Sequence, residues 1–148
     1  MPVMGPNKKE PYQAPIFILA DDDKGALERI VERLHTEWFY VPVTNPRVVL
    51  KYAKRINARA IFLADPVEYP RGGAAFILQR LIDEVGKPVI ILAEQWTPEI
   101  AATWKRMGAE DCLPHPTRFD QRLELLRGKM QELALAHSTE SGSEGSSK

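Results

Sequence analysis

Short apolar runs alternate with stretches of helical periodicity along most of this chain. The runs that predict β-strands are residues 16–20, 40–43, 60–64, 88–92 and 111–113. A helix is predicted after the first run, because its apolar residues follow the i, i+3, i+4, i+7 spacing at Leu27, Ile30, Val31 and Leu34. The third run is apolar throughout, as expected of a strand that is buried on both faces. The pattern therefore predicts five consecutive β-α units.

Capping residues and glycines indicate where the predicted helices begin and end. Asn45 followed by Pro46 predicts the N-cap and the first residue of helix 2. Thr97 followed by Pro98 predicts the start of helix 4, and Gly86 predicts the end of helix 3. Five β-α units in this order favour an α/β, flavodoxin-like, doubly wound sheet. Its five parallel strands are expected in the order 2-1-3-4-5.

The two ends of the chain differ in composition from its middle. Residues 1–14 contain three prolines and few apolar residues, so we expect a flexible leader there. Residues 138–148 are rich in Ser, Gly and Glu, which predicts a disordered tail. One folded domain is therefore assigned to residues 15–137.

Composition narrows the classes of function that the domain can have. The chain has 148 residues and is 44% hydrophobic, enough to bury the core of one domain. It carries 20 Lys and Arg against 20 Asp and Glu, so charge gives no reason to expect a nucleic acid or a membrane surface as partner. Cys112 is the only cysteine, which excludes an internal disulfide and a multi-cysteine metal site. No apolar stretch approaches the roughly 20 residues of a membrane helix and no signal peptide is evident, so we expect a cytoplasmic protein.

Acidic residues follow two of the predicted strands. Asp21 and Asp22 come directly after strand 1, and Asp65 comes directly after strand 3. In the predicted strand order these two strand ends are neighbours at the topological switch point of the sheet. Carboxylates brought together there would suit a hard divalent cation.

Four local motifs occur in the order and at the spacing of a known family. They are Ile-Leu-Ala-Asp-Asp-Asp at 18–23, Phe-Leu-Ala-Asp at 62–65, Pro-Val-Ile-Ile-Leu-Ala at 88–93 and Gly-Ala-Glu-Asp-Cys-Leu-Pro-His-Pro at 108–116. Together they resemble the CheY-like receiver domain of bacterial two-component response regulators. The resemblance implies that Asp21, Asp22 and Asp65 hold Mg²⁺. It also implies that Asp65 accepts a phosphoryl group from a partner histidine kinase.

The chain departs from this family in the half of the site that would bind the phosphoryl group. The family has Thr or Ser at the end of strand 4, and this chain has Ala93, which has no donor. The family has Lys before the proline of strand 5, and this chain has His115, which is shorter and mostly neutral at neutral pH. Cys112 replaces the aromatic switch residue, and Pro66 after Asp65 offers no backbone N–H to an anion. These departures indicate a degenerate pseudo-receiver.

Two side chains near the predicted site have alternative roles. For His115 we favour a surface or rim histidine. The alternative is a protonated imidazole that pairs with Asp65 and mimics the charge arrangement of an activated receiver. Trp96, in the loop after strand 4, is expected to be exposed, where it would cover the pocket or contact a partner.

The resemblance favours a signalling module over an enzyme. We expect protein–protein contact with a histidine kinase or a downstream effector through helix 4, strand 5 and helix 5, with impaired or absent phosphorylation. Homodimerisation through helices 4 and 5 is compatible with the same resemblance. The first alternative is a phosphorylatable receiver that uses Asp65 and Mg²⁺. The second is a nucleotide- or flavin-binding enzyme, which is disfavoured because the sequence has neither G-x-G-x-x-G nor G-x-x-x-x-G-K-[ST].

Overall fold

Strands and helices alternate throughout the described part of the chain. The structure, a computed structural model, describes residues 15–35, 37–45, 48–65 and 73–143, with side chains as far as residue 135. In chain order the elements are β1 (Ile16–Ala20), α1 (Lys24–Leu34), β2 (Phe39–Val43), α2 (Val49–Arg55), β3 (Ala60–Asp65), α3 (Gly73–Glu84), β4 (Val89–Ala93), α4 (Pro98–Arg106), β5 (Asp111–Pro114) and α5 (Phe119–Ser143). Each strand is followed by a helix, as the apolar pattern predicts.

The strands form one parallel sheet in the order β2-β1-β3-β4-β5. β2 and β3 lie on opposite sides of β1, so the order of the strands reverses there. The carboxyl ends of β1 and β3 consequently lie at the switch point where doubly wound sheets bind their ligands. The predicted α/β, flavodoxin-like fold with strand order 2-1-3-4-5 is confirmed.

The central strands are buried on both faces and separate two core clusters. Ile61 and Ile91 belong to one cluster, while Phe17, Phe62 and Ile90 belong to the other. The rings of Phe17 and Phe62 meet edge to face, with their centroids 6.0 Å apart. Burial of each such side chain contributes on the order of 1.5–3 kcal/mol. Alternate residues of β3 therefore stabilise both layers of the fold, which explains its uninterrupted apolar sequence.

Two helices begin at residues whose side chains cap them. Asp23 Oδ1 accepts a hydrogen bond from the Ala26 N–H at 3.1 Å at the start of α1. Thr97 Oγ1 accepts one from the Ile100 N–H at 3.1 Å at the start of α4. Each bond satisfies an N–H that has no partner within its helix. The predicted start of helix 4 is confirmed.

The predicted start of helix 2 at Asn45 is wrong. α2 begins at Val49, and the Val48 N–H donates to the Asn45 carbonyl oxygen at 3.1 Å in the preceding turn. The N-cap Val48 makes no side-chain capping bond. Residue 48 forms a 3-10 turn, so the turn at Asn45 leads into the α-helix, whose Val49 and Ala53 are buried in the core. Pro46 lies outside the described residues.

The last helix, α5, passes the predicted domain end at residue 137 and reaches Ser143. Its inward stripe consists of Leu123, Leu126 and Met130, all of which are buried. Residues 1–14 and 144–148 lie outside the described part, so the predicted leader, domain limits and tail stay predictions. In the part of the chain that the structure describes, no helix is both long and apolar enough to cross a membrane.

Two glycines offer a matched test of how the backbone and the core limit substitution. Gly108 follows α4 with a φ of 113°, and a Cβ there would overlap the Cδ1 of Ile82 on α3. Gly108→Ala is expected to lower the free energy of unfolding by about 2–4 kcal/mol, because left-handed backbone strain and overpacking add. Gly128 lies within α5 with open space around it, so Gly128→Ala is expected to raise that free energy by about 1 kcal/mol. Urea unfolding measures both changes, and the same sign for the two variants would contradict this explanation.

Candidate functional site

The candidate site lies where the carboxyl ends of neighbouring strands meet. Asp21 follows β1, and its N–H donates to the Val43 carbonyl oxygen at 3.1 Å. Asp65 ends β3 and is paired in register with Ala93, the last residue of β4. His115 follows β5, and its N–H donates to the Ala93 carbonyl oxygen at 2.9 Å. Backbone pairing therefore brings these four positions to one rim of the sheet.

Asp21 and His115 form a buried hydrogen bond at this rim. The Nε2 of His115 lies 3.1 Å from the Oδ2 of Asp21. Asp21 is 7% exposed and His115 is 6% exposed. An ionised carboxylate only accepts, so Nε2 carries the proton and donates it. The other ring nitrogen, Nδ1, has no hydrogen-bond partner among the described residues, so the bond to Asp21 is the polar contact that orients the imidazole.

The Asp21 carboxyl stays ionised although it is buried. Burial raises its pKa, but the hydrogen bonds from His115 and from the Asp23 N–H outweigh that effect, together with the charge of Arg122. The pKa of Asp21 therefore lies below its usual value. The Asp23 N–H donates to the Oδ1 of Asp21 at 3.0 Å. Both carboxylate oxygens of Asp21 thus have donors within the protein.

This geometry corrects both expectations for His115. The imidazole lies at the rim but is buried there, not exposed at the surface, and its partner is Asp21, not Asp65. Apolar side chains, among them Leu27 and Leu92, line the same small pocket as Asp21 and His115. A polar ring in apolar surroundings is stabilised by bonding the carboxylate within reach, because an unpaired buried polar group is costly.

The two aspartates that follow Asp21 have different environments. Asp22 is largely exposed. Its pKa is raised, first by the small loss of solvent around it and then by the negative charge of Asp21. Asp23 is the N-cap of α1. This capping role is not among the sequence predictions, although the position of Asp23 directly before the apolar helical repeat would have indicated it. The three aspartates therefore have three roles: Asp21 pairs with His115, Asp22 is an exposed carboxylate, and Asp23 caps a helix.

Asp65 has two neighbours at the end of β4, which are the methyl group of Ala93 and the acidic residue Glu94. Ala93, its partner in register, offers no donor. The Glu94 N–H donates to the Asp65 carbonyl oxygen at 3.0 Å, which holds Glu94 next to it. Partial burial and then the negative charge of Glu94 raise the pKa of Asp65. Sequence reasoning misses Glu94, although its position directly after strand 4 is visible in the sequence.

Cys112 and Trp96 connect the loop after β4 to β5. The Trp96 Nε1–H donates to the Cys112 carbonyl oxygen at 2.8 Å. Trp96 is 37% exposed, so its expected exposure is confirmed. Its N–H attaches the loop to β5. The Cys112 thiol is buried, and burial and the charges of Asp111 and Asp65 raise its pKa to about 11. Such a thiol is unreactive at neutral pH.

The carboxylates at this rim are suitable ligands for a hard cation, but both oxygens of Asp21 already accept hydrogen bonds from the protein. Asp22 and Asp65 are carboxylates with raised pKa values, which an adjacent cation would lower. Among the residues that the structure describes, no three or more His, Cys, Asp or Glu side chains group together in a way that could hold a metal ion. The predicted Mg²⁺ site of Asp21, Asp22 and Asp65 stays a prediction, and Asp22 and Asp65 are its available ligands.

Solved receiver domains have the same fold as this chain, although no protein-family model and no curated protein matches it. The receiver domain of a Francisella response regulator is 21% identical, with a TM-score of 0.59 over 78% of this chain and 98% of that one. A signal receiver domain from Vibrio parahaemolyticus is 18% identical, with a TM-score of 0.64 over 86% and 98%. The response regulator domain of Thermotoga maritima CheB is 16% identical, with a TM-score of 0.66 over 82% and 97%. The chain therefore has the CheY-like fold of response regulator receiver domains, as its four motifs predict.

The Asp21–His115 pair predicts a pH-dependent contribution to stability. Asp21→Asn keeps the shape of the side chain and removes its charge, so it is expected to lower the free energy of unfolding at neutral pH by about 1–3 kcal/mol. The folded-state pKa of Asp21 is lower than the unfolded one. The contribution is therefore complete above about pH 4 and is lost as the pH falls through the folded-state pKa. Urea unfolding of both proteins across that range measures the difference.

Asp22→Asn is the matched control for this prediction. The Asp22 carboxylate is exposed and its pKa is raised, so its removal is expected to change the free energy of unfolding at neutral pH by no more than about 0.5 kcal/mol. A loss as large as that of Asp21→Asn would contradict the assignment of the stabilising charge to the buried pair. His115→Ala is also expected to cost less in the Asp21→Asn background than alone.

Proposed function

We propose that this protein is a receiver-like signalling module that acts by protein–protein contact and whose phosphorylation is impaired or absent. Its partners in this proposal are a histidine kinase or a downstream effector, and it has no enzymatic activity of its own. The receiver fold and the chemistry of the rim residues support this proposal.

The observation that carries the proposal is the hydrogen bond from His115 to Asp21. In receivers the residue at this position is a lysine that places its charge on the phosphoryl group, whereas here the imidazole is bonded elsewhere. A phosphoryl group on Asp65 would lie near the Ala93 methyl group and beside Glu94. Removal of one preorganised donor costs about 2.7–4 kcal/mol in acyl-transfer sites, and a second anion adds repulsion. Phosphoryl transfer to Asp65 is therefore disfavoured.

The face formed by α4, β5 and α5 suits a protein partner because ion pairs hold its elements together. The Nζ of Lys129 on α5 lies 2.7 Å from the Oδ2 of Asp111 on β5, and the Nζ of Lys105 on α4 lies 3.6 Å from the Oδ1 of Asp111. Leu125, one turn before Lys129, is 37% exposed. A surface that is ordered before contact loses less entropy on binding. This is the face that we propose for a partner or for a second copy of the chain.

A second candidate function is that of a phosphorylatable receiver that uses Asp65 with Mg²⁺. The raised pKa values of Asp22 and Asp65 favour it, because they reflect carboxylates that a cation would stabilise. Mg²⁺ would be held by Asp22 and Asp65 and would screen the repulsion between the Asp65 carboxylate and an incoming phosphoryl group. Asp21 would contribute less, since both of its oxygens accept protein hydrogen bonds.

Incubation with Mg²⁺ and acetyl phosphate distinguishes the two candidates. The intact mass of the protein is expected to stay unchanged, because Ala93 and His115 stand where receivers have the hydroxyl and the ammonium group that bind the phosphoryl oxygens. A gain of one phosphoryl group that disappears in Asp65→Asn would overturn the pseudo-receiver proposal. Loss of that gain in Asp22→Asn as well would assign Asp22 to the cation.

Restoring the missing donors is expected to create a phosphoryl acceptor. Ala93→Ser together with His115→Lys supplies a hydroxyl and an ammonium group at the two positions where the chain differs from receivers. The same assay should then show one added phosphoryl group. The matched control carries Asp65→Asn in addition and should show none. A folded double variant that stays unmodified would contradict the attribution of the defect to Ala93 and His115.

A further inference from the structure

Two arginines of α1 lie against the aromatic ring at the start of α5. The Cζ of Arg29 is 3.9 Å from the ring centroid of Phe119, and the Cζ of Arg33 is 5.8 Å from it. Both arginines are exposed and one helical turn apart, while Phe119 packs against the core. A guanidinium on a ring face is attracted by the ring and keeps N–H groups available for a further partner.

Two more arginines extend the positive charge along the first turn of α5. Arg122 donates from Nε and Nη2 to the backbone carbonyl oxygen of residue 116, at 3.1 and 3.0 Å. Arg118 pairs with Asp120 at 3.2 Å, and both of these side chains are well exposed. Within the described residues, Arg29 and Arg33 make no ion pair with an acid. The arginine strip is defined as Arg29, Arg33, Arg118 and Arg122, and Arg29 and Arg33 are its two guanidiniums that no acid among the described residues neutralises in an ion pair.

We propose that the arginine strip binds a short acidic segment of a partner protein, whose carboxylates accept hydrogen bonds from Arg29 and Arg33. Guanidiniums donate to carboxylates in bidentate pairs. Contact with the Phe119 ring restricts the two side chains in advance, so less side-chain entropy is lost on binding. This surface lies on the side of α5 towards α1, whereas the other proposed face lies on the side of α5 towards β5, and its use does not depend on phosphorylation of Asp65.

The surroundings of the arginine strip favour a short acidic segment over a nucleic acid or an anionic membrane. Glu28 and Glu32 alternate with Arg29 and Arg33 on the exposed surface of α1. An extended polyanion or a lipid surface would also contact these two acids and be repelled by them. The zero net charge of the chain provides no long-range attraction to a polyanion either. A segment of a few residues needs to reach only Arg29 and Arg33, so fewer of its carboxylates come near Glu28 and Glu32.

Binding of a fluorescein-labelled hexaglutamate peptide, measured by fluorescence anisotropy at low salt, tests this proposal. The protein is expected to bind the peptide, and Arg29→Gln with Arg33→Gln is expected to weaken binding about tenfold. The matched control is Lys51→Gln with Arg55→Gln, which removes the same charge one turn apart on the exposed surface of α2. Its affinity should stay within about twofold of the unmodified protein.

Two further variants separate geometry from charge. Phe119→Leu keeps both arginines and removes the ring, and it should weaken binding by roughly threefold or more. Arg29→Lys with Arg33→Lys keeps the charge, removes the planar fork and should have a similar effect. Circular dichroism verifies that each variant is folded. The proposal is overturned if the unmodified protein does not bind, if the α2 control loses as much affinity, if both geometry variants bind normally, or if duplex DNA or phosphatidylserine vesicles bind as tightly as the peptide.

Discussion

The parallel pairing of β1 with β3 and of β3 with β4, with helices covering both faces, is the constraint on which the rest of the molecule depends. Backbone groups of buried strands find partners only in this ladder, so the ladder sets which residues meet at the rim. Asp65 lies opposite Ala93 for this reason, and Glu94 is held beside it by a backbone hydrogen bond. The chemistry of the candidate site is thus a consequence of how the sheet is paired.

The buried bond between Asp21 and His115 adds a second constraint at the same rim. It joins the end of β1 to the residue that follows β5, across the carboxyl edge of the sheet. Its partners are buried, so the carboxylate depends on protein donors to remain ionised. An acidic residue that would serve a cation in an active receiver contributes to folding here. This provides a physical reason for an acidic rim to persist in a protein that we propose to be a pseudo-receiver.

The two proposed contact surfaces differ in how their charge is arranged. On the side of α5 towards β5, Lys129 is nearly buried and neutralised by Asp111, so the charge there is locally compensated. On the side towards α1, Arg29 and Arg33 are positioned by the Phe119 ring and have no acidic partner among the described residues. The first arrangement favours shape and apolar contact, and the second favours a partner with negative charge.

The sequence by itself determined the elements and the fold, because apolar periodicity is local and five β-α units permit few topologies. It also located the acids at the strand ends and the positions where Ala93 and His115 depart from the receiver pattern. It misplaced the start of helix 2, since a turn in which the Val48 N–H bonds to the Asn45 carbonyl oxygen comes before the α-helix at Val49. Only the tertiary structure decided that His115 pairs with Asp21 and that two arginines lie against Phe119. These contacts join residues far apart in the chain, and no spacing rule relates them, because packing between elements brings them together.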